Sequence, residues 1–200
     1  MKTFLYELFP ALRATGVLCL VTCGAYPLLV TGVAEAFFKS QAHGSLITDG
    51  SGTIRGSYWI GQSFTSETYF HSRPSTAGEG YDAAASGGSN LGPTSQKLHD
   101  LIEQRITAYR SINGLLKDTA VPADAVTTSA SGLDPHISVG NAQLQAPRVA
   151  QARGLSLDDV QRCITDCSEK RDLGFLGDAR VHVLKLNLAL DDLKPVPRHE

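Results

Sequence analysis

The segment from Ala14 to Ala34 contains no charged side chain, and it constrains the fold more than any other feature. At a helical rise of about 1.5 Å per residue it reaches about 30 Å, the thickness of the hydrocarbon core of a bilayer. We therefore expect a short cytoplasmic tail over residues 1–13 and one membrane-spanning helix with its exit over residues 14–38. Because a single helix cannot enclose a pore, the chain is expected to be an anchored protein rather than a channel.

A cleaved signal peptide is the alternative interpretation, because Ala34-Glu35-Ala36 places small residues at a cleavage spacing. The apolar core of a signal peptide is about 7 to 15 residues long, so the length of this segment favours a retained helix. Both interpretations export the rest of the chain. Lys2 and Arg13 precede the segment and Lys39 follows it, and this positive bias favours an N-terminus in the cytoplasm.

Small or slim residues recur along the same helix. At four-residue spacing they allow a second helix to approach closely, whereas a helix surrounded by lipid has no need of them. We therefore predict a partner helix in the membrane. The competing explanation is that Gly and Pro are simply common in membrane helices. The predicted packing face consists of Thr15, Gly16, Cys19, Cys23, Gly24, Pro27 and Thr31.

Residues 39–200 provide enough chain for one soluble domain with a single core. The formal net charge is -2 at pH 7, whereas a nucleic-acid-binding domain would carry a basic patch, so no nucleic-acid partner is expected. Of the four cysteines, Cys19 and Cys23 lie in the apolar segment. Cys163 and Cys167 are one helical turn apart, where they would line one face of a helix, and no disulfide framework is expected.

Two regions of the predicted domain have strand character. Ser45–Thr48 and Thr53–Ile60 flank a Gly-rich turn, which predicts a β-hairpin. Arg180–Leu190 is predicted as a strand with a bend, because its apolar positions change phase along the segment. Between the two regions, residues 73–94 are rich in Gly, Ser and Pro and predict an unusually long loop.

Helical spacing of apolar residues predicts the remaining elements. Pro147 lacks an N–H group and is expected to interrupt its helix and start a new turn. Because strands and helices do not alternate as repeated β-α-β units, we predict an α+β domain anchored by one N-terminal transmembrane helix. The predicted helical segments run from Thr94 or Ser95 to Asn113-Gly114, over 122–126, over 139–153, and from Ser156 to Lys170-Arg171.

Several motifs of common active sites are missing from the sequence. It contains no G-x-x-x-x-G-K-[ST] loop, no Asp-Lys-Thr-Gly phosphorylation sequence, no H-E-x-x-H and no G-x-S-x-G. The six histidines are scattered without the spacing of metal ligands. We therefore predict no metal site and no catalytic residue on this chain.

A Gly-rich segment precedes the first predicted helix of the domain. Consecutive small residues can turn several backbone N–H groups in one direction, and such a nest binds an anion or a carbonyl group. The alternative is a tight loop that needs positive φ at Gly87 or Gly88. The candidate contact residues of this segment are Ser86, Gly87, Gly88, Ser89 and Asn90.

Two further groups are candidates for chemistry. Asp134 and His136 resemble an acid/base pair and would make a membrane-anchored hydrolase if Ser131 were the nucleophile, although orientation of the loop is the simpler role. Arg148 and Arg153 lie near Pro147 and would pair with carboxylates or with the loop at Ser86. The alternative for both arginines is a solvated helix face.

Motifs along nearly the whole chain resemble one family, the C subunit of the Kdp-type potassium-transporting ATPase. They include the single N-terminal span and the contact candidate Arg73. His182 departs from the pattern, where Asn is expected, and so does Tyr58-Trp59, where smaller or aliphatic residues are usual. The motifs are Gly56-Ser57, Ile60-Gly61-Gln62, Tyr69-Phe70, Arg73-Pro74-Ser75, Tyr81-Asp82, Ser86–Pro93, Pro122-Ala123-Asp124, Ser131–Ser138, Gln145, Arg148-Val149-Ala150, Ala152-Arg153-Gly154, Leu173-Gly174-Phe175-Leu176-Gly177 and Leu186–Asp191.

The resemblance implies an accessory, non-catalytic subunit of a high-affinity potassium uptake pump in the bacterial inner membrane. Its implied partners are a P-type subunit that hydrolyses ATP, a channel-like subunit that takes up potassium, and a very small membrane subunit. The family subunit is described as raising the ATP affinity of the P-type subunit, and also as lying outside the cytoplasm. The charge bias around the apolar segment favours export of the domain. Since an exported domain cannot contact ATP in the cytoplasm, export favours the second description. The chain is then expected to hold no cofactor, with ATP bound through the complex, and a nucleotide-binding chaperone acting through residues 86–92 is the alternative.

Overall fold

The computed structural model describes residues 2–194, which fall into two compact units that meet between Leu46 and Ile47. The first unit is helical. Its elements are α1 (Lys2–Cys19), a π-helical turn (Leu20–Ala25), α2 (Tyr26–Phe37) and α3 (Lys39–Ala42). In the π-helical turn, the Tyr26 N–H group bonds to the Val21 carbonyl, five residues back, one residue before Pro27. Pro27 has no N–H group to continue the helical hydrogen bonding, which accounts for an irregular turn just before it.

Within the described residues, one helix is long and apolar enough to cross a membrane, and it extends from Tyr6 to Phe37. Length and composition alone support this, and a signal sequence would meet the same criteria. The helix itself begins at Lys2, so it includes residues that the sequence predicts as a tail. A long apolar helix at the N-terminus agrees with the predicted anchor.

The second unit combines short strands with helices, which confirms the predicted α+β class. The predicted hairpin is present in shorter form as β1 and β2, which pair with each other. The elements are β1 (Leu46–Thr48), β2 (Ile54–Ser57), α4 (Gln96–Ile112), α5 (Ala123–Val126), β3 (His136–Ser138), α6 (Val139–Arg153), α7 (Leu157–Asp166), β4 (Ser168–Glu169), β5 (Arg180–His182) and α8 (Val183–Leu193).

A small antiparallel sheet with the order β3-β5-β4 positions the polar side chains described below. His136 lies opposite His182, and Ile137 lies opposite Val181. On the other side of β5, Glu169 lies opposite Arg180. The short sheet therefore brings His136, His182 and the ion-pairing residues Glu169 and Arg180 together, although they come from three different strands.

The core forms between this sheet and helices α6, α7 and α8. It consists almost entirely of aliphatic side chains together with Phe70, which comes from the irregular segment between β2 and α4. Phe64, Val139, Leu155 and Cys167 pack against its edge. Cys163 and Cys167 are free thiols, as expected without a disulfide framework. Cys163 is buried on α7, and Cys167 directly follows that helix and packs against the core. The buried members are Phe70, Ile137, Ala142, Ala146, Val149, Ala150, Val160, Cys163, Ile164, Val181, Val183, Leu186 and Leu190.

The predicted strand over Arg180–Leu190 is wrong in its second half. The strand β5 ends at His182, and α8 begins at Val183. Val183, Leu186 and Leu190 are buried at helical spacing, so the change of apolar phase marks the start of a helix rather than a bend. The His182 ring caps this helix, because its Nδ1 accepts a hydrogen bond from the Lys185 N–H group at 3.4 Å.

Most of the other helix boundaries follow the sequence. Ser95 and Asn113 flank α4 as predicted, and Gly114 adopts a positive φ after its end. However, α6 continues through Pro147 without the predicted interruption. The predicted helix that begins after Ser156 ends at Asp166 instead of continuing to residues 170–171, because β4 follows almost immediately.

Candidate functional site

A chain of hydrogen bonds joins the long loop to β3. Arg73 Nη1 donates to Asp134 Oδ2 at 2.9 Å, and the His136 N–H group donates to Asp134 Oδ1 at 2.9 Å. The His136 ring also faces this carboxylate, with Nδ1 at 3.4 Å from Oδ1. Burial would raise the pKa of Asp134, but the bonds from His136 and the charge of Arg73 outweigh burial and lower it. Three predicted contact residues, Arg73, Asp134 and His136, thus lie together.

Glu169 continues this cluster on the other side of His136. Its Oε2 lies 2.9 Å from Arg180 Nε and 3.7 Å from His136 Nε2, and its Oε1 accepts a short hydrogen bond from the Tyr58 hydroxyl. Burial would raise the pKa of Glu169, but the bond from Tyr58 and the positive neighbours lower it. The same bond to Glu169 raises the pKa of the Tyr58 phenol. Glu169 therefore stays ionised between two donors.

His182 is fully buried beside this cluster. Its Nε2 lies 2.8 Å from the Tyr58 carbonyl oxygen, and its ring meets the His136 ring edge to face with centroids 5.2 Å apart. Since Nδ1 accepts from the Lys185 N–H group, the hydrogen bonds fit the neutral tautomer with its proton on Nε2. Burial lowers the pKa of His182, which also favours the neutral ring.

An open cleft of about 480 Å³ lies against these groups and is lined by Arg73, Asp134, His136 and Arg180 among others. Two buried nitrogen atoms here, Arg73 Nε and His136 Nε2, make no hydrogen bond within the described residues. Asp124 also lines the cleft and holds the start of α6, because its carboxylate accepts from the Ser138 N–H group at 2.8 Å. Across residues 2–194 no group of His, Cys, Asp and Glu side chains is arranged to hold a metal ion.

Ser131 does not join Asp134 and His136. Its hydroxyl lies 3.1 Å from the Leu133 N–H group and 3.4 Å from the Ser129 hydroxyl, so it stabilises its own turn. The nearest charged partners of the His136 ring are the two carboxylates described above. The geometry therefore supplies no activated serine nucleophile at this point, since a nucleophile needs a base within hydrogen-bond reach.

The Gly-rich loop uses its polar groups to hold a neighbouring turn. The Gly87 N–H group and the Ser86 hydroxyl both donate to the Ser131 carbonyl, at 2.9 and 3.0 Å. The Gly87 carbonyl accepts from Thr76 Oγ1 at 2.9 Å. The positive φ expected at Gly87 or Gly88 lies instead at Asn90, with φ of 51°. Gly88 packs closely against the neighbouring turn, because an added Cβ would lie 3.0 Å from the Ala130 carbonyl oxygen.

Arg148 and Arg153 are buried, so the solvated-face interpretation is wrong for both. Arg148 donates to the Tyr69 carbonyl at 3.1 Å, to Asn113 Oδ1 at 2.9 Å and through a short bond to the Glu67 carbonyl. Burial lowers the pKa of Arg148. Its recorded partners are neutral oxygen atoms rather than the predicted carboxylates or the loop at Ser86.

Arg153 does pair with a carboxylate, as one of the predictions proposed. Its Nη2 lies 2.9 Å from Asp191 Oδ1, and its Nε donates to the Thr68 carbonyl at 2.6 Å. The guanidinium also lies over the Tyr69 ring, 4.8 Å from the centroid. Together, Arg148 and Arg153 hold residues 67–69 against α6, which is a structural use of both charges.

Two buried amides that were not among the predicted contact residues hold the next residues of the same segment. Asn187 Oδ1 accepts from the Phe70 N–H group at 2.8 Å, and its Nδ2 donates to the Phe70 carbonyl at 3.0 Å. Gln145 holds His71 in the same way. Its Oε1 accepts from the His71 N–H group at 2.8 Å, and its Nε2 donates to the His71 carbonyl at 3.2 Å. The sequence signal for these contacts is an Asn or Gln at an otherwise apolar, buried position of a helix. A buried amide needs hydrogen-bond partners, so such a residue indicates that a backbone segment packs against it.

The predicted packing face of the first unit has open space around its glycines. A Cβ atom added at Gly16 or Gly24 would meet nothing within 4 Å among the described residues. Within the described part of the chain, these glycines therefore have no packing role. The face stays a prediction about a second helix.

Comparison with known proteins identifies the family. The family model described as K+-transporting ATPase, c chain, matches residues 8–192. A Mycobacterium tuberculosis protein named potassium-transporting ATPase KdpC subunit is 58% identical over 187 residues, which cover 94% of this chain and 98% of that protein. A Rhodospirillum rubrum protein of the same name is 53% identical over 192 residues, 96% of this chain and 98% of the relative. A Koribacter versatilis protein of the same name is 51% identical over 173 residues, which cover 86% of this chain and 87% of that protein. The chain thus belongs to the KdpC family, the c chain of potassium-transporting ATPases.

Proposed function

We propose that this chain is an accessory, non-catalytic subunit of a high-affinity, ATP-driven potassium uptake pump, and that it stabilises the complex and tunes its activity. The observation that carries the proposal is one long apolar helix, Tyr6–Phe37, at the N-terminus of a chain of the KdpC family. The relatives are named as subunits of a potassium-transporting ATPase, which supports a role inside a complex.

The helix is proposed to anchor the chain once in the bacterial inner membrane. Lys2 and Arg13 before the apolar segment and Lys39 after it favour a cytoplasmic N-terminus. The second unit then lies outside the cytoplasm, where it has no access to cytosolic ATP. In this arrangement any ATP bound by the complex is bound by another subunit.

The use of charged groups supports a role without catalysis. Arg73 pairs with Asp134, Arg180 with Glu169, and Arg153 with Asp191. The first pair joins two loops, the second joins β5 to β4 and the third joins α6 to α8, so each pair has a structural role. A general acid or base needs a pKa near the working pH, whereas the pKa values of Asp134 and Glu169 are shifted away from it.

We propose three partners for the subunit. They are the P-type subunit that hydrolyses ATP, the channel-like subunit that takes up potassium, and a very small membrane subunit. The open glycine face at Gly16 and Gly24 supports helix contact within the membrane, because small residues let two backbones approach closely.

A topology measurement tests the orientation. Fusions to the C-terminus of the full chain with alkaline phosphatase, active only outside the cytoplasm, and with green fluorescent protein, active only inside, are expected to show phosphatase activity without fluorescence. The reverse pattern would overturn the exported domain. Protein sequencing of the mature N-terminus checks that residues 1–38 are retained, as an anchor requires.

An assembly measurement tests the role. Deletion of residues 1–38 is expected to remove the chain from the purified pump and to abolish growth on low potassium. Unimpaired assembly and growth would contradict the proposal. Calorimetry with a non-hydrolysable ATP analogue on the full chain in detergent tests the nucleotide-binding alternative. That alternative requires the unmodified chain to bind the analogue and the Gly88→Val variant to lose the binding.

A further inference from the structure

The connection between β4 and β5 exposes three large apolar side chains at its tip. We call residues 171–178 the apolar turn. Leu173 is 82% exposed, Phe175 is 71% exposed and Leu176 is 49% exposed. Isolated apolar residues are common on protein surfaces, but three within four positions on one turn form a concentrated patch that a soluble surface has no reason to keep.

The apolar turn is ordered by its own hydrogen bonds. Asp172 and Leu176 form a bridge in which each N–H group donates to the other residue's carbonyl at 2.9 Å. Arg171 Nη2 also lies 2.9 Å from Asp178 Oδ1 and closes the base of the turn. The apolar side chains are therefore presented on a defined backbone, and a partner would not have to order them at an entropic cost.

Leu173 adopts a backbone conformation that does not suit its side chain. Its φ is 53°, in the left-handed region that Gly and Asn tolerate and that Leu rarely adopts. Since Leu173 is largely exposed, packing within the described chain does not explain why Leu occupies this position. Backbone strain of this kind is concentrated at functional sites.

The charges around the patch favour a protein partner over lipid. A loop that inserts into a membrane is typically flanked by Lys and Arg, and anionic lipids attract it through them. Lys170, Arg171 and Arg180 flank the apolar turn, but Arg171 pairs with Asp178 and Arg180 pairs with Glu169, both at 2.9 Å. Asp172 also lies on the turn, so the cationic side chains are matched by acidic ones. An apolar centre with a rim of both charges is the usual anatomy of a protein interface.

We propose that the apolar turn inserts into an apolar pocket on the extracytoplasmic surface of another subunit of the pump. This inference rests on the proposed function, because it requires a chain assembled in the pump with its second unit outside the cytoplasm. Leu173 and Phe175 are the anchoring side chains, and Arg171 and Asp178 lie at the rim.

Photo-crosslinking in the assembled pump tests the contact directly. The photoreactive residue p-benzoylphenylalanine replaces Phe175 in the full chain, and in a matched control it replaces Leu116, which is 81% exposed on a different loop of the same unit. We expect an adduct with another pump subunit from position 175 and none from position 116. An adduct only with lipid, an adduct only with a second copy of this chain, or no adduct from position 175 in an intact pump would overturn the proposal.

A substitution that preserves the turn separates a binding role from a structural one. Leu173→Asn suits the left-handed backbone, so the variant is expected to melt at the same temperature as the unmodified chain or higher. It should nevertheless weaken retention of the chain in the detergent-solubilised pump about thirtyfold, the effect of losing one interface hot spot. Leu116→Asn is the control and should leave retention unchanged. Equal retention of both variants would overturn the proposal.

The unmodified chain separates failure of this inference from failure of the proposed function. If it does not co-purify with any pump subunit, the function proposed above is wrong and this inference falls with it. If it co-purifies and position 175 gives no subunit adduct, only the assignment of the apolar turn is wrong.

Discussion

Asn187 holds the peptide groups of Phe70 with both ends of its side-chain amide, accepting at 2.8 Å and donating at 3.0 Å. All of these atoms are buried, and the two residues come from opposite ends of the second unit. The amide replaces the hydrogen bonds that a neighbouring strand would supply. An extended loop segment can therefore cross the core without leaving its backbone polar groups unsatisfied.

Asn187→Ala should strongly destabilise the domain. The substitution leaves two buried polar groups of Phe70 unsatisfied, and each costs about 1–3 kcal/mol, so we expect the free energy of unfolding to fall by about 3 kcal/mol. In the full chain in detergent, near-UV circular dichroism should show a melting temperature lower by about 6–12 °C. Gln151→Ala, an exposed amide on α6, is the control and should change stability by less than about 0.5 kcal/mol.

Asp134→Asn should remove a contribution to stability that depends on pH. The folded-state pKa of Asp134 is lowered, so the contribution is complete above the unfolded-state value of about 3.9 and is lost as the pH falls through the folded-state pKa. We expect a loss of about 1–2 kcal/mol at pH 7, because the side chains of Arg73 and Asp134 are mostly buried. Thermal melts between pH 3 and 7 measure it. The exposed Asp118→Asn is the control, and a difference that grows on acidification would contradict the prediction.

His182→Asn should make the domain less sensitive to mild acid. Burial lowers the folded-state pKa of His182, so the unfolded chain takes up a proton below about pH 6.5 before the folded chain does. Stability is therefore lost as the pH falls from that value toward the folded-state pKa, and the variant should lack this part of the loss. Its pH profile is compared with that of His99→Asn, in which an exposed histidine is replaced. Identical slopes for both variants would contradict the prediction.

Gly132→Ala should loosen the contact between the Gly-rich loop and its neighbouring turn. Gly132 has a φ of 68°, and an added Cβ would lie 2.7 Å from the Gly87 carbonyl oxygen. Gly52→Ala is the matched control, because Gly52 has a φ of 80° and open space around it. We expect the control to cost about 1 kcal/mol from backbone strain and Gly132→Ala to cost at least about 3 kcal/mol. Equal melting temperatures for the two variants would show that the close approach has no energetic effect.

Cysteine crosslinking should detect a partner helix beside the first unit. With Cys163 and Cys167 replaced by Ala and one of Cys19 and Cys23 retained, a thiol-reactive crosslinker is expected to join the chain to another subunit in the membrane. Gly24→Leu should reduce the adduct, because a large side chain would keep the two backbones apart. Adducts with lipid alone would contradict the predicted packing face.

Local sequence signals predicted much of the secondary structure. Ser95 and Asn113-Gly114 mark the ends of α4, and Ser156 caps α7 by accepting from the Asp159 N–H group at 3.1 Å. These boundaries depend on neighbouring residues, so they can be read from the chain. The start of α8 at Val183 could not, because the alternation of leucines also fits a strand and only packing in the core decides between them.

The contacts of the candidate site divide in the same way, into local contacts that the sequence predicts and long-range contacts that it does not. Asp134 and His136 lie two positions apart, so a local pairing was foreseeable. The contacts of Glu169 with Tyr58 and His136, and those of Arg148 with residues 67–69, connect distant segments. Such contacts follow from tertiary packing, and neither composition nor spacing contains that information.

The position of α8 at the end of the described chain has a consequence for biosynthesis. Asn187 must be present before Phe70 and the segment around it can be held, and α8 follows every other helix among the described residues. The contact spans most of the second unit, and such non-local closure is slow. The Phe70 peptide groups therefore cannot be held by Asn187 during synthesis until α8 has left the ribosome.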